Sequence, residues 1–273
     1  MTARLLEGRP AAEAVWRVVQ ERAAVFASRL GRPACLAVVC GADAAAEGYA
    51  RQIERQFARR GLSVASHAPP ADTPRLRETL ASLSDDPAVD GILVVTPLPE
   101  GLDLRQAIQG LDPRKDVDGQ HPESLGRLAQ RQPGLVPATA LGGLRLLQHY
   151  ELALRGTRAV VVGRSPVVGL PLALLLIDAD LTVTVAHSRT EDLARLTRDA
   201  DLLCVAVGRP GMIGPEYVRP GAVVLDFGAP EGDVQTEAVA AVAGAMTPVP
   251  GGTGPMTVAV LAEQTLTAGL QRL

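Results

Sequence analysis

Short apolar runs alternate with segments of helical periodicity along the whole chain. The apolar residues of each run are mostly continuous, as in strands that are buried on both faces of a parallel sheet. The predicted strands are Ala34–Cys40, Ser63–His67, Gly91–Thr96, Ala159–Val162, Thr182–Ala186, Leu202–Val207 and Ala222–Phe227. The predicted helices are Pro10–Leu30, Ala44–Arg60, Pro74–Leu83, Gly142–Tyr150, Val168–Ile177, Glu191–Arg198 and Met256–Leu270.

Strand–helix alternation of this kind predicts α/β layers joined by right-handed crossovers. A loop-rich stretch leads up to residues 137–143, where we expect a domain boundary. The predicted fold is two α/β domains that flank a cleft. The first spans residues 1–140 and is completed by the C-terminal helix at 256–273, and the second spans residues 141–255. A cleft of this kind is where small-molecule sites tend to lie.

Composition excludes several classes of protein. The 273 residues carry a net charge of −3 and no run of basic residues, so we expect no nucleic-acid partner. The apolar runs are too short to span a membrane, and the N-terminus lacks the apolar segment of a signal peptide. Three cysteines lack the spacing of a metal site, so we expect reduced thiols, no metal and a cytoplasmic location. Of the 27 lysines and arginines only Lys115 is a lysine.

Residues 159–171, AVVVGRSPVVGLP, resemble a dinucleotide-binding turn in their context. A buried strand leads into Gly163, and a predicted helix begins beside Gly169. Amides at a helix N-terminus bind a pyrophosphate, and glycine allows its close approach. The spacing departs from the common G-x-G-x-x-G pattern, so an ordinary strand-to-helix turn remains an alternative.

The end of the next strand selects the cofactor. An NAD site places a carboxylate there for the ribose hydroxyl, whereas this strand is followed by HSRT at 187–190. Ser188 and Arg189, with Arg164 from the preceding loop, suit an adenosine 2′-phosphate. We therefore predict NADP and a Rossmann-like second domain, the alternative being that these are solvated loop residues.

Four motifs carry a resemblance that extends over essentially the whole chain. They are DGILVVTPLP at 90–99, KDVDGQHP at 115–122, GRSPVVGLP at 163–171 and TPVPGGTGPMT at 247–257. In this order and at these separations they resemble the methylenetetrahydrofolate dehydrogenase/cyclohydrolase family. The resemblance implies a homodimer that uses NADP to oxidise 5,10-methylenetetrahydrofolate to the methenyl form, which the family commonly hydrolyses to 10-formyltetrahydrofolate.

The resemblance also assigns roles to individual positions. Tyr49 stacks along the folate, Asp118 hydrogen-bonds the pterin ring, and both form the expected catalytic site. A loop that closes over the substrate contributes Pro250, Gly251, Gly252 and Pro255. The expected cofactor contacts are Thr139, Gly163, Arg164, Ser165, Gly169, Ser188, Arg189, Gly208, Ala229 and Thr257.

Two substrate-pocket positions depart from the family pattern. The family has Tyr-x-x-x-Lys where this chain has Tyr49 and Ile53, and it has a glutamine where this chain has Val95. The family lysine drives the hydrolysis step, so we predict a dehydrogenase whose cyclohydrolase activity is impaired or lost. Three alternatives remain: a bifunctional enzyme with a non-standard residue set, a specialised paralogue with another substrate, and a catalytically silent binding paralogue.

Other residues in these motifs have a structural interpretation. His121 is interpreted as a hydrogen-bonding loop residue, and Lys115 as an ion-pair or backbone-bonding residue. Trp16 lies on the apolar face of the first predicted helix, where core packing is the ordinary role. Whether the Tyr49–Ile53 face is core or pocket wall is the main question for the structure.

Overall fold

The computed structural model describes residues 3–41 and 43–272, which form two compact units. The small-sheet unit comprises Ala14–Ala138 and the residues from Val258 onward. The large-sheet unit comprises the residues up to Glu13 and Thr139–Thr257. Each unit contains parallel strands and helices, which confirms the predicted α/β class.

The helices and strands follow one another in an order close to the predicted one. The strands are β1 (Arg4–Leu5), β2 (Cys35–Val39), β3 (Ser63–His67), β4 (Gly91–Val94), β5 (Arg158–Val162), β6 (Thr182–Ala186), β7 (Leu202–Val205), β8 (Val223–Asp226) and β9 (Ala245–Met246). The α-helices are α1 (Gly8–Leu30), α2 (Ala44–Ala58), α3 (Thr73–Asp85), α4 (Leu104–Ala107), α5 (Pro122–Ala129), α6 (Ala138–His149), α7 (Gly169–Asp178), α8 (Leu193–Thr197), α9 (Thr236–Ala240) and α10 (Thr253–Leu270). Two 3₁₀ helices lie at Ile108–Gly110 and Pro215–Tyr217.

The small-sheet unit is built on three parallel strands in the order β3-β2-β4. Helix α2 begins where the Asp43 side chain accepts hydrogen bonds from two backbone amides of its first turn. Such a cap satisfies donors that have no partner within the helix. The helix buries Ala46, Ala50, Ile53 and Phe57, a stripe at helical spacing. Trp16 is also buried and packs edge-on against Phe57, as expected for a core residue.

The large-sheet unit is built on six parallel strands in the order β1-β9-β8-β7-β5-β6. The strand order reverses direction between β5 and β7, which is the kind of position where open α/β sheets bind ligands. Strand β7 is buried throughout, whereas the edge strand β6 alternates between exposed and half-buried side chains. Continuous apolarity therefore identified the central strands for the physical reason given above.

The structure differs from the predicted elements mainly where an element is short. Strands β1 and β9 have two residues each, which is too few to show a pattern, and helices α4, α5 and α9 were not predicted. Because β1 pairs with β9, the first residues lie in the large-sheet unit, outside the expected 1–140 domain. No helix in the described ranges is long and apolar enough to cross a membrane.

Candidate functional site

The loop that follows the 3₁₀ helix Ile108–Gly110 runs beside β4 and carries two acidic side chains. The Asp116 carboxylate accepts hydrogen bonds from the backbone amides of Gln120 and His121 and from the Ser124 hydroxyl, at 2.8–3.0 Å. This buried carboxylate fixes the conformation of the KDVDGQHP turn. Asp118 accepts hydrogen bonds from Gln120 Nε2 at 2.7 Å and from the Ala138 amide at 3.3 Å.

The Asp118 carboxyl and the Tyr49 hydroxyl share one electrostatic environment. The pKa of Asp118 is raised to about 7, mainly by burial and to a smaller extent by the charge of Asp116, while the hydrogen bonds from Gln120 and the Ala138 amide lower it. Burial also raises the pKa of Tyr49, with a smaller contribution from the negative charge of Asp118. Tyr49 is therefore a neutral phenol at physiological pH, while Asp118 exchanges its proton near neutrality.

Ile53 and Val95 are apolar and buried. Ile53 exposes none of its surface and Val95 exposes 7%. Ile53 belongs to the core stripe of α2, while Tyr49, one turn earlier, is half-buried. The Tyr49–Ile53 face thus passes from a partly open ring into core packing, and it carries no ionisable group beyond the tyrosine.

Lys115 and His121 have the structural roles expected of them. Lys115 is 2% exposed, and its Nζ donates to the Asp86 carbonyl at 2.7 Å and to the Leu83 carbonyl at 3.2 Å. These carbonyls lie at the end of α3, where no helical partner remains for them. His121 caps α5, because its Nδ1 accepts the Glu123 amide at 3.1 Å.

The turn after β5 has a conformation that only glycine fits. Gly163 has φ +127°, and a Cβ there would lie 2.2 Å from the Ala206 carbonyl oxygen. A Cβ on Gly169, at the start of α7, would lie 2.2 Å from the Gly163 carbonyl oxygen. The Ser165 hydroxyl accepts the amides of Val168 and Gly169 at 3.2 and 3.4 Å. This packing brings the helix start close to the strand end, as a pyrophosphate site requires.

A pocket of about 300 Å³ opens beside this turn, between the ends of β5, β6 and β7. Its lining includes the predicted Gly163, Arg164 and Ser188, and also His187 and Arg209, which sequence reasoning missed. Arg164 and Arg209 are exposed, and neither forms an ion pair with any residue of the described ranges. Two free guanidinium groups beside glycine-rich backbone suit a phosphorylated nucleotide.

A buried carboxylate holds the third loop of this pocket in place. Asp233 exposes none of its surface and accepts the amides of Val207, Gly208 and Arg209 at 2.7, 3.0 and 2.6 Å. Gly208 has φ +64°, a conformation that favours glycine. The GRPG stretch after β7 is the sequence signal that could have identified Arg209.

The remaining predicted residues lie elsewhere in the large-sheet unit. Gly251 accepts the Gly8 amide at 2.8 Å through its carbonyl oxygen, and Gly252 is buried with no room for a Cβ beside Thr247. Pro250 is exposed and Pro255 half-buried. The Thr257 hydroxyl donates to the Thr139 hydroxyl at 3.4 Å, which brings these two predicted residues together. Arg189 and Ala229 are exposed and do not line the pocket.

Both halves of the chain match models of one protein family. Residues 6–118 match the catalytic-domain model of tetrahydrofolate dehydrogenase/cyclohydrolase, and residues 137–273 match the model of its NAD(P)-binding domain. The chain is 46% identical over 283 aligned residues to the bifunctional protein FolD of Chloroflexus aurantiacus, covering 100% of this chain and 99% of that protein.

Two solved structures have the same fold over their full length. The bifunctional FolD dehydrogenase/cyclohydrolase of Campylobacter jejuni is 34% identical, with a TM-score of 0.93 and coverage of 99% of this chain and 100% of that one. The Trypanosoma brucei methylenetetrahydrofolate dehydrogenase-cyclohydrolase, solved with NADP and an inhibitor, is 33% identical, with a TM-score of 0.92 and coverage of 100% and 99%.

Proposed function

Because the chain belongs to the tetrahydrofolate dehydrogenase/cyclohydrolase family, we propose that it oxidises 5,10-methylenetetrahydrofolate to 5,10-methenyltetrahydrofolate with NADP and lacks effective cyclohydrolase activity. The observation that carries the second half is the fully buried Ile53 one turn after Tyr49. The only lysine of the chain is held by two carbonyl groups at the end of α3 and cannot replace the missing one.

Dehydrogenation asks for position more than for acid–base chemistry. When bound, the nicotinamide supplies the hydride acceptor, and the folate nitrogens supply the electron pair that expels the hydride. The chain contributes a half-buried aromatic ring at Tyr49 and an acceptor at Asp118, which hold and orient the pterin. Neither role needs Ile53 or Val95 to be polar.

Hydrolysis of the methenyl cation makes a different demand. Water must lose a proton as it attacks, and the folate nitrogen that leaves must gain one. A group that holds and releases this proton typically contributes about 10²–10⁴ in rate. Ile53 cannot hold or release a proton, Val95 cannot hydrogen-bond the attacking water, and Tyr49 keeps its proton because its pKa is raised.

NADP binding rests on the pocket of the large-sheet unit. The turn at Gly163 allows the pyrophosphate to approach the start of α7, where Ser165 retains a hydroxyl proton to donate. Arg164, Ser188 and Arg209 surround the position where the ribose 2′-phosphate belongs, and no carboxylate lines the described pocket. Arg209 thereby replaces Arg189 as the second arginine of this proposal.

One observation favours a bifunctional enzyme as the second candidate. Asp118, whose pKa is about 7, is a group near Tyr49 that exchanges a proton at neutral pH. It could accept the proton of the attacking water if the pterin left it free. Asp118 is the expected pterin anchor, however, and the leading proposal therefore leaves it no second role.

Two assays separate these candidates. Given methylenetetrahydrofolate and NADP, the enzyme should accumulate the methenyl species, which is followed by its near-ultraviolet absorbance. Given methenyltetrahydrofolate alone, it should not exceed the rate of hydrolysis in buffer. Enzyme-dependent hydrolysis would establish the bifunctional candidate instead, and a lower hydrolysis rate of Asp118→Asn at saturating substrate would assign the proton transfer to Asp118. If the protein binds NADP but shows neither activity, the result favours the alternative in which it acts on another substrate.

The Ile53→Lys, Val95→Gln double variant restores the family pattern and should introduce hydrolysis. Ile53→Leu is the matched control, because it keeps the core volume and adds no proton. NADP affinity and the midpoint of thermal unfolding verify that each variant is folded. A folded double variant without hydrolysis would show that these two positions do not account for the loss.

A further inference from the structure

Gln120 carries an amide whose orientation is fixed by its neighbours. Its Nε2 donates to Asp118 Oδ2 at 2.7 Å and to the Val94 carbonyl oxygen at 3.2 Å. The Val94 carbonyl accepts hydrogen bonds and cannot donate them, so the amide nitrogen must face it and the amide oxygen must face the other way.

The amide oxygen that results has no partner. Gln120 Oε1 is buried and accepts no hydrogen bond from the residues that the structure describes. Leaving a buried acceptor unsatisfied costs about 1–3 kcal/mol, and most buried polar groups in native proteins are paired. The residue is also held rigidly, because Asp116 binds its backbone amide at 3.0 Å. A fixed and unsatisfied acceptor of this kind indicates a missing donor from a ligand.

Gln120 Oε1 belongs to the same amide group whose nitrogen donates to the Asp118 carboxylate, so the two acceptors are separated by no more than that amide group. A ligand that satisfies both needs two adjacent N–H groups on one rigid edge. The pyrimidine edge of a reduced pterin has this pattern, in its exocyclic amino group and its ring N3–H. We infer that Gln120 binds the pterin of the substrate, its Oε1 accepting one of these two N–H groups while Asp118 accepts the other.

This inference rests on the proposed function, since it takes a reduced folate as the ligand, and it deepens that function. It also explains how a polar amide reaches the proposed pterin site although Val95 is apolar. Strand β4 ends at Val94, and the next side chain is the apolar Val95. Gln120 brings an amide to that same strand end from the neighbouring loop. An amide exchanges no proton near neutrality, so it can position the pterin without supplying the missing hydrolysis step.

A thermodynamic cycle tests the contact directly. Binding of tetrahydrofolate, its 2-desamino analogue and its N3-methyl analogue is measured by calorimetry under anaerobic conditions, for the unaltered protein and for Gln120→Leu. In the unaltered protein each analogue should bind about tenfold more weakly or worse. For one of the two, Gln120→Leu should remove most of that penalty, because the acceptor of that donor is gone.

The cycle distinguishes contact from a structural effect. If Gln120→Leu only disturbed Asp118, both analogues would keep their full penalty or lose it together, and either result would overturn the inference. Gln52→Leu, a change of the same kind at an exposed position on α2, should leave all three affinities unchanged. If Gln120→Leu loses thermal stability, Gln120→Asn takes the place of that variant in the cycle. It shortens the side chain by one methylene and so moves the amide oxygen away from the ligand.

The outcome also separates this inference from the proposed function. A protein that binds NADP but no tetrahydrofolate would overturn both. A protein that binds tetrahydrofolate and shows no coupling with either analogue would overturn the role of Gln120 alone.

Discussion

At the residue scale, the chemistry of the proposed substrate site depends on one carboxyl group. Ionised Asp118 can accept hydrogen bonds from pterin N–H groups through both oxygens, whereas in the protonated carboxyl one oxygen carries a proton and acts as a donor. Burial and the neighbouring Asp116 favour the protonated form, and the hydrogen bonds from Gln120 and the Ala138 amide favour the ionised form. The balance sets the pKa at about 7.

The first prediction follows from the sign of this shift. If the ionised carboxylate binds substrate as proposed, kcat/KM for methylenetetrahydrofolate should rise with pH and level off above about pH 7, falling about tenfold per unit below it. Steady-state kinetics from about pH 5.5 to 8.5 measure this limb. Asp118→Asn should give a low profile without the limb. A limb that survives in Asp118→Asn belongs to another group and would contradict the assignment.

A second residue-scale prediction concerns cofactor choice. Arg164→Ala removes one of the two unpaired guanidinium groups of the pocket. A lost charge-assisted hydrogen bond is worth about 1.5–3 kcal/mol, so kcat/KM for NADP should fall about 10- to 100-fold while that for NAD changes little. Arg198→Ala, an exposed arginine that does not line the pocket, is the control. Equal losses of kcat/KM with NADP and with NAD would show that Arg164 does not bind the 2′-phosphate.

At the element scale, loops form both candidate sites, and the buried carboxylates of Asp116 and Asp233 hold those loops. Sequence pattern predicted the central strands and the Gly163 turn, because continuous apolarity and glycine report local constraints. It could not predict the orphan oxygen of Gln120 or the anchoring by Asp116 and Asp233. Those depend on partners that only the folded chain brings together, such as the Val94 carbonyl 26 residues from Gln120.

The element-scale prediction tests Asp233, which binds three successive amides of the loop after β7. Asp233→Ala should lower the free energy of unfolding by about 1–3 kcal/mol, because amides lose their acceptor. It should also weaken NADP binding, because the same loop carries Arg209. Denaturant unfolding and cofactor titration measure the two effects. Glu231→Ala, at an exposed position nearby, should change neither. If Asp233→Ala is destabilised but binds NADP with unchanged affinity, the loop after β7 does not contribute to cofactor binding.

At the scale of the whole molecule, the family resemblance predicts a homodimer, and we propose an apolar helix face as its interface. Leu170 and Ile177 expose 39% and 43% of their surface on α7, seven residues apart and therefore on one face. Val18 and Val25 have a similar exposure and spacing on α1. Apolar pairs of this kind are candidates for burial in an interface. We place the interface on α7, which adjoins the cofactor turn, since there dimerisation would support the start of that helix.

Light scattering at micromolar concentration should give twice the chain mass of 28.5 kDa. Leu170→Glu combined with Ile177→Glu should convert the dimer to a monomer, because two charges cannot be buried against a copy of themselves without a large desolvation cost. Val18→Glu combined with Val25→Glu is the matched control and should leave the dimer intact. A monomeric parent protein would exclude the dimer. If the α7 double variant remains a dimer and the α1 double variant is a monomer, the interface lies on α1.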